Sequence, residues 1–213
     1  MRYELTGVRD NLSDMFGGTQ GGLFEVCHLC FKPLAAMPVR GEDPGDVAEA
    51  AGVPVFQVDR DGGSLLINGN RVEERAFVEE LSELHIQHSA AAHGNPRRVY
   101  VQRYPRIACF SGELWFSRWH RELPTGFAAI DLDVWSSCSN CGRLHLFEMV
   151  RGGADTCMKK PTTFVRKLAA MAGADAHVVA YSGTGVFIRN LQTGEMLARR
   201  AFDVSSGVCS CRG

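Results

Sequence analysis

The sequence predicts an α/β fold, a mixed sheet flanked by helices with an accessory segment at its amino-terminal end. Three features carry this expectation. Apolar residues recur at helical spacing over VEERAFVEELSELHIQH, strand-like and helix-like runs alternate after about residue 96, and Gly, Pro and Asn mark the joints between runs. At 45% hydrophobic residues in 213, the chain can bury a core of ordinary size. No apolar run approaches the roughly 20 residues that span a bilayer, and MRYELTGVRDNL lacks the apolar centre of a signal peptide. The expectation is a cytoplasmic protein with no membrane partner. Its eight cysteines then read as metal ligands or buried thiols before disulfides.

In chain order, residues 1–22 are polar and Gly-rich, a loosely ordered lead-in. LFEVC at 23–27 is a short strand running into Cys27-His-Leu-Cys30, and DVAEAAG is one short helix. VPVFQVD and SLLIN form a hairpin around Asp61-Gly62-Gly63, and Asn68-Gly69 makes a second turn. The amphipathic helix follows over 72–88, and AAHGNP at 91–96 is the natural joint. That joint divides the chain into an acidic accessory segment, 1–95, and a basic domain, 96–213. In the second part VYVQRY at 99–104 is a strand, and 111–123 is a helix capped by Ser111 and stopped by Pro124. FAAIDLDVW at 127–135 and LHLFEMV at 144–150 are strands joined by the turn CSNCG. FVRKLAAMA is a helix ended by Gly173, AHVVAYS and VFIRNL are strands around the turn Gly183-Thr-Gly185, and LQTGEMLARR lies beyond.

The near-neutral net charge hides a division. Residues 1–95 carry seven Lys+Arg against fifteen Asp+Glu, and residues 96–213 carry sixteen against nine. A basic half suits a polyanion, since each neutralised phosphate releases counterions; attraction between the two halves accounts for the split equally well. The acidic half is a candidate surface for a protein partner.

Asp131 and Asp133 stand two apart on one strand, so their side chains are expected on the same face. Glu148 lies on the returning strand of the hairpin, which brings it towards them. Carboxylates on apolar strands are costly unless something pairs with them, and three that converge suit a hard divalent cation such as Mg²⁺ or Mn²⁺. Such an ion polarises phosphate and activates water for phosphodiester hydrolysis. The competing reading leaves one aspartate in solvent and pairs Glu148 with an arginine.

The run Ser117-Arg-Trp-His120-Arg121, then Ala129-Ile-Asp131-Leu-Asp133, then Leu146-Phe-Glu148, resembles a phage and bacterial group of PD-(D/E)XK nuclease domains. The likeness spans roughly 110–190. It implies a restriction-endonuclease-like core with metal bound by Asp131 or Asp133 together with Glu148, while His120 and Arg121 contact phosphate or orient a ligand. The implied activity is cleavage of nucleic acid, DNA before RNA, in a bacterial or phage-infected cytoplasm. The chain departs from the group at Val150, where the group has its lysine, and Lys159, Lys160, Arg118 or Arg121 could supply that cation from another element. Without it, the fold would serve as a zinc-stabilised module that binds nucleic acid or protein and does not cut.

Cys27-x-x-Cys30 and Cys138-x-x-Cys141 both read as zinc knuckles, and together they would complete one four-thiolate structural site. Rival ligands are Cys157, His145, His28, Cys209 and Cys211, with His85, His88 and His93 weaker; reduced thiols in turns are the plain alternative. Trp115, Phe116 and Trp119 read as core before a base-stacking platform. Arg97-Arg98, Lys159-Lys160 and Arg199-Arg200 are paired charges able to track a phosphate backbone or simply to face solvent.

Overall fold

The computed structural model describes residues 21–39, 42–94, 104–112, 114–124, 126–182 and 185–199. In chain order these form β1 (Gly22–Val26), β2 (Pro33–Met37), α1 (Gly45–Ala51), β3 (Val58–Asp61), β4 (Ser64–Ile67), β5 (Asn70–Val72) and α2 (Glu74–His93). A 3-10 turn (Ile107–Cys109) leads to α3 (Trp115–Arg121), β6 (Ala129–Leu132), β7 (Val134–Ser137), β8 (Leu144–Arg151), α4 (Ala154–Lys159) and α5 (Thr163–Ala172). β9 (Asp175–Ser182), β10 (Gly185–Asn190) and β11 (Met196–Arg199) follow. The class is mixed α/β, as the sequence predicts. Among the described residues no helix is long and apolar enough to cross a membrane.

The strands form three sheets, ordered β2-β1-β6, β3-β4-β5 and β11-β10-β9-β8-β7. The chain also divides into two compact units, and the division does not fall at the 91–96 joint. One unit holds 22–42 and 53–131; the other holds 43–52 and everything from Leu132 onward, with Gly21. The basic half is therefore shared between them. The strand expected over 99–104 lies outside the described residues but for Tyr104, as do Arg97, Arg98, Arg200, Cys209, Cys211 and the turn residues Gly183 and Thr184.

In the first unit, α2 is the predicted amphipathic helix, running from Glu74, whose charge favours the helix amino terminus, to Gly94 in the left-handed conformation (φ 65°). It buries Phe77, Val78 and Leu81 against Leu23, Met37, Phe56, Val58 and Leu65. The expected helix at 111–123 is shorter. Ser111 does not cap it; Gly112 takes φ 81°, Leu114 occupies the N-cap, and regular helix begins at Trp115. Trp115, Phe116 and Trp119 are 5%, 0% and 0% exposed, which settles them as core, with the Phe116 and Trp119 rings stacked at 5.5 Å.

The second unit centres on the five-stranded sheet. Its neighbours are antiparallel except β8 and β9, which pair in parallel with Glu148 opposite Val178. A parallel pair needs a crossover, and α4 and α5 supply it; α4 carries no apolar periodicity long enough to announce itself in the sequence. α5 ends at Gly173 (φ 62°), where a left-handed residue suits glycine. FAAIDLDVW is not one strand. β6 ends at Leu132 in one sheet and β7 begins at Val134 in another, so Asp131 is exposed while Asp133 is buried, and they do not share one strand face.

Phe116→Ala should lower unfolding stability by about 3–5 kcal/mol, the cost of emptying a fully buried aromatic site. Urea denaturation measures it, and a change under about 1 kcal/mol would show that the helix face is not packed as described.

Candidate functional site

β8 alternates its side chains through a sheet buried on both faces, and Glu148 is 5% exposed there. The β7–β8 register pairs Val134 with Phe147, so Asp133 stands one step further along beside Glu148. Asp133 Oδ2 accepts the Met149 N–H at 2.8 Å. Glu148 Oε2 lies 3.2 Å from Lys160 Nζ, an ion pair whose lysine is partly buried and sits just past the end of α4. A cation thus reaches Glu148 from outside its own strand. Lys159 and Arg151 face solvent instead.

The motif residues Ser117, His120, Arg121 and Asp131 belong to the first unit, where they line a cleft of about 240 Å³ with Leu23, Phe127, Ala128 and Ala129. Arg121 and Asp131 are exposed at it, while His120 is 3% exposed. His120 is held from within: its Nε2 hydrogen-bonds Glu25 Oε2, and His85 Nε2 donates to Glu25 Oε1 at 2.6 Å. The Ala128 N–H adds a longer bond of 3.2 Å to Oε1. Burial by itself would push the Glu25 carboxyl up, but the His120 and His85 contacts outweigh it and hold the group below its usual value. Glu25 carries a local signal in the sequence, since a carboxylate inside the apolar run LFEVC demands a partner.

The two CxxC segments fold alike. Cys27 N–H donates to Lys32 O (2.9 Å) and Phe31 N–H to Cys27 O (2.7 Å), with Phe31 at φ 58°. Cys138 N–H donates to Arg143 O (2.8 Å) and Gly142 N–H to Cys138 O (2.7 Å), with Gly142 at φ 70°. Both are tight turns, and the first brings the Cys27 and Cys30 thiols within 4.8 Å of each other. The side chains beside Cys27 and Cys30, however, are His88 and His93 rather than a second cysteine pair. Cys27 Sγ lies 3.6 Å from His93 Nε2 and Cys30 Sγ 3.3 Å from His88 Nε2. Among the described residues this is the group of His, Cys, Asp and Glu whose ligand atoms lie mutually within 4.8 Å, and it could bind a metal such as zinc. Of the rivals, His28 is exposed and His85 is engaged by Glu25. Cys157 is a core thiol donating to Val178 O at 3.4 Å, and its burial pushes its pKa up.

His145 and His177 form a buried pair on β8 and β9, Nδ1 to Nε2 at 3.2 Å. His145 also lies 3.8 Å from Asp175, which pairs with Arg143 at 2.9 Å. Burial lowers the pKa of both histidines, that of His177 to about 3 with the His145 charge as second cause.

Comparison with family models, with curated proteins and with solved structures finds no match.

The His177 shift has a measurable sign. In the unfolded chain an imidazole takes its proton near pH 6.5, while folded His177 resists it down to about pH 3. Stability is full above pH 6.5 and falls as pH drops towards 3, with a slope approaching about 1.4 kcal/mol per pH unit. Urea unfolding across that window should show a shallower slope in His177→Gln than in wild type. Equal slopes would mean that His177 is not held neutral.

Proposed function

We propose that this chain is a divalent-metal-dependent nuclease that hydrolyses phosphodiester bonds in nucleic acid, DNA before RNA. The single observation that carries the reading is the Glu148–Lys160 ion pair beside Asp133. It joins Glu148 of the hairpin to a lysine, the combination that the resemblance leads one to expect and that Val150 had put in question. The hairpin β7–β8, the crossover through α4 and α5 and the parallel strand β9 support a restriction-endonuclease-like arrangement of this unit.

The donor set fits a hard cation. Asp133 and Glu148 offer carboxylate oxygens, and Mg²⁺ is commonly held by one or two carboxylates with water and substrate phosphate completing the shell. Bound Mg²⁺ or Mn²⁺ would supply Lewis-acid polarisation of the phosphate and a more acidic water. Glu148 would help hold such an ion, on a strand fixed by burial on both faces. Lys160 offers a cation to negative charge developing on phosphate and orients Glu148 in the absence of substrate. His120, Arg121 and Asp131 enter on the sequence resemblance. In their own unit Arg121 is exposed at the cleft and able to meet a phosphate, and the Glu25 contact fixes the His120 ring.

Glu148→Gln and Lys160→Met should each lower metal-dependent cleavage of a mixed DNA and RNA substrate panel by about 10²-fold or more, with urea midpoints reported alongside. Lys160→Arg should recover part of the activity. A well-folded wild type that cuts no substrate with Mg²⁺ or Mn²⁺ would move the assignment to a non-catalytic binding module.

A further inference from the structure

Cys27 and Cys30 sit in the β1–β2 turn, whose backbone hydrogen bonds and left-handed Phe31 turn both thiols to one side. Facing them is the last part of α2, which carries His88 and, at its final residue, His93. The two imidazole rings lie 5.4 Å apart and nearly perpendicular, at 87°, so their nitrogens approach one point from different directions. Burial falls from Cys27, fully inside, through Cys30 and His88 to His93 at the surface.

These distances can be compared with what a metal requires. A tetrahedral zinc with Zn–S of about 2.3 Å and Zn–N of about 2.0–2.1 Å sets each S···N edge near 3.6 Å. The two S···N edges here are 3.3 and 3.6 Å, and all four ligand atoms lie within 4.8 Å of one another, the compactness such an ion needs. A disulfide between Cys27 and Cys30 would leave the convergence of two histidines without a role. A catalytic thiol–imidazole pair needs one cysteine and one histidine, and this group holds two of each. The donors are two sulfurs and two imidazole nitrogens, a set that selects zinc over Mg²⁺ or Ca²⁺.

We propose that Cys27, Cys30, His88 and His93 bind one Zn²⁺ as a closed structural site. With four protein ligands it keeps no position for substrate, which separates it from any hydrolytic metal. Its place in the fold shows what it does. Glu25, two residues before Cys27 on β1, is bonded to His85, three residues before His88 on α2. The same strand and helix are thus fastened twice, by a carboxylate–histidine contact inside and by the metal at the outer end. The sequence spacing alone paired the first knuckle with Cys138 and Cys141. The structure pairs it with histidines on a helix, 58 and 66 residues away along the chain.

The test uses metal content and spectra, so it stands apart from any cleavage result. The 213-residue chain is purified without added chelator, its zinc is measured by mass spectrometry, and cobalt is exchanged in. Wild type should carry zinc and give the visible bands of tetrahedral Co²⁺ with thiolate charge transfer. Cys27→Ser/Cys30→Ser should lose one metal equivalent, and so should His88→Ala/His93→Ala, while Cys138→Ser/Cys141→Ser keeps that equivalent. Should the loss variants fail to fold, His88→Cys provides the positive test, retaining the metal and strengthening the charge-transfer band through a third thiolate. The proposal is overturned by wild type that holds no zinc and gives no tetrahedral cobalt spectrum. It is equally overturned if the equivalent follows Cys138 and Cys141, or if His88→Cys leaves the spectrum unchanged.

Discussion

Glu25 is a carboxylate with no solvent exposure in a strand whose every residue is buried. Left alone, such a charge would cost several kcal/mol, so the surrounding chain must answer it. The answers come from His85 on α2, His120 on α3 and the backbone just before β6. Three elements far apart in sequence are thus brought to one residue of β1, and Phe127 packs its ring edge-on against both imidazoles. Apolar burial of Phe77, Phe116 and Trp119 supplies most of the attraction in this unit. It is non-directional, whereas the carboxylate accepts partners only along defined directions, and so fixes the rotation of both helices about their axes.

The same contact governs what the neighbouring groups can do. His120 belongs to the Ser-x-x-His-Arg run, yet its Nε2 is turned inward to Glu25, which leaves Arg121 as the charged, solvent-facing member of that run at the cleft. On α2, the His85 anchor sets the helical phase at which His88 follows, three residues on and one turn away. In the other unit, Glu148 meets a comparable demand through Lys160. Each unit therefore carries a buried glutamate on a strand, one answered by histidines and the other by a lysine.

Much of the fold was legible because the sequence punctuates it. Gly94 and Gly173 end their helices in the left-handed conformation, Asn68-Gly69 turns β4 into β5, and the hairpin β7–β8 turns where CSNCG stands. What was not legible depended on partners remote in sequence. FAAIDLDVW has the composition of one strand, and only the change of sheet at Asp133 divides it. α4 is six residues long, too short for periodicity to show. In the candidate site, Glu148 could be named from its motif, and Lys160 was one of four cations able to reach it. His88 and His93 ranked low because helix histidines are usually solvated, and nothing local distinguishes a solvated pair from one facing two thiols across some sixty residues.

The interleaving of the two units has a consequence for how the chain is made. The peptide passes between them four times, at 21/22, 42/43, 52/53 and 131/132. Helix α1 belongs to the second unit and packs against α5, so during synthesis it leaves the ribosome more than a hundred residues before its partner exists. The strands and helix that follow it can close on themselves earlier. At roughly 5–20 residues per second of translation, α1 waits for seconds with Val47, Ala48 and Ala51, all buried in the finished protein, exposed to water. Its last apolar contacts form only when nearly the whole chain has emerged, so no truncation short of α5 can yield a finished second unit.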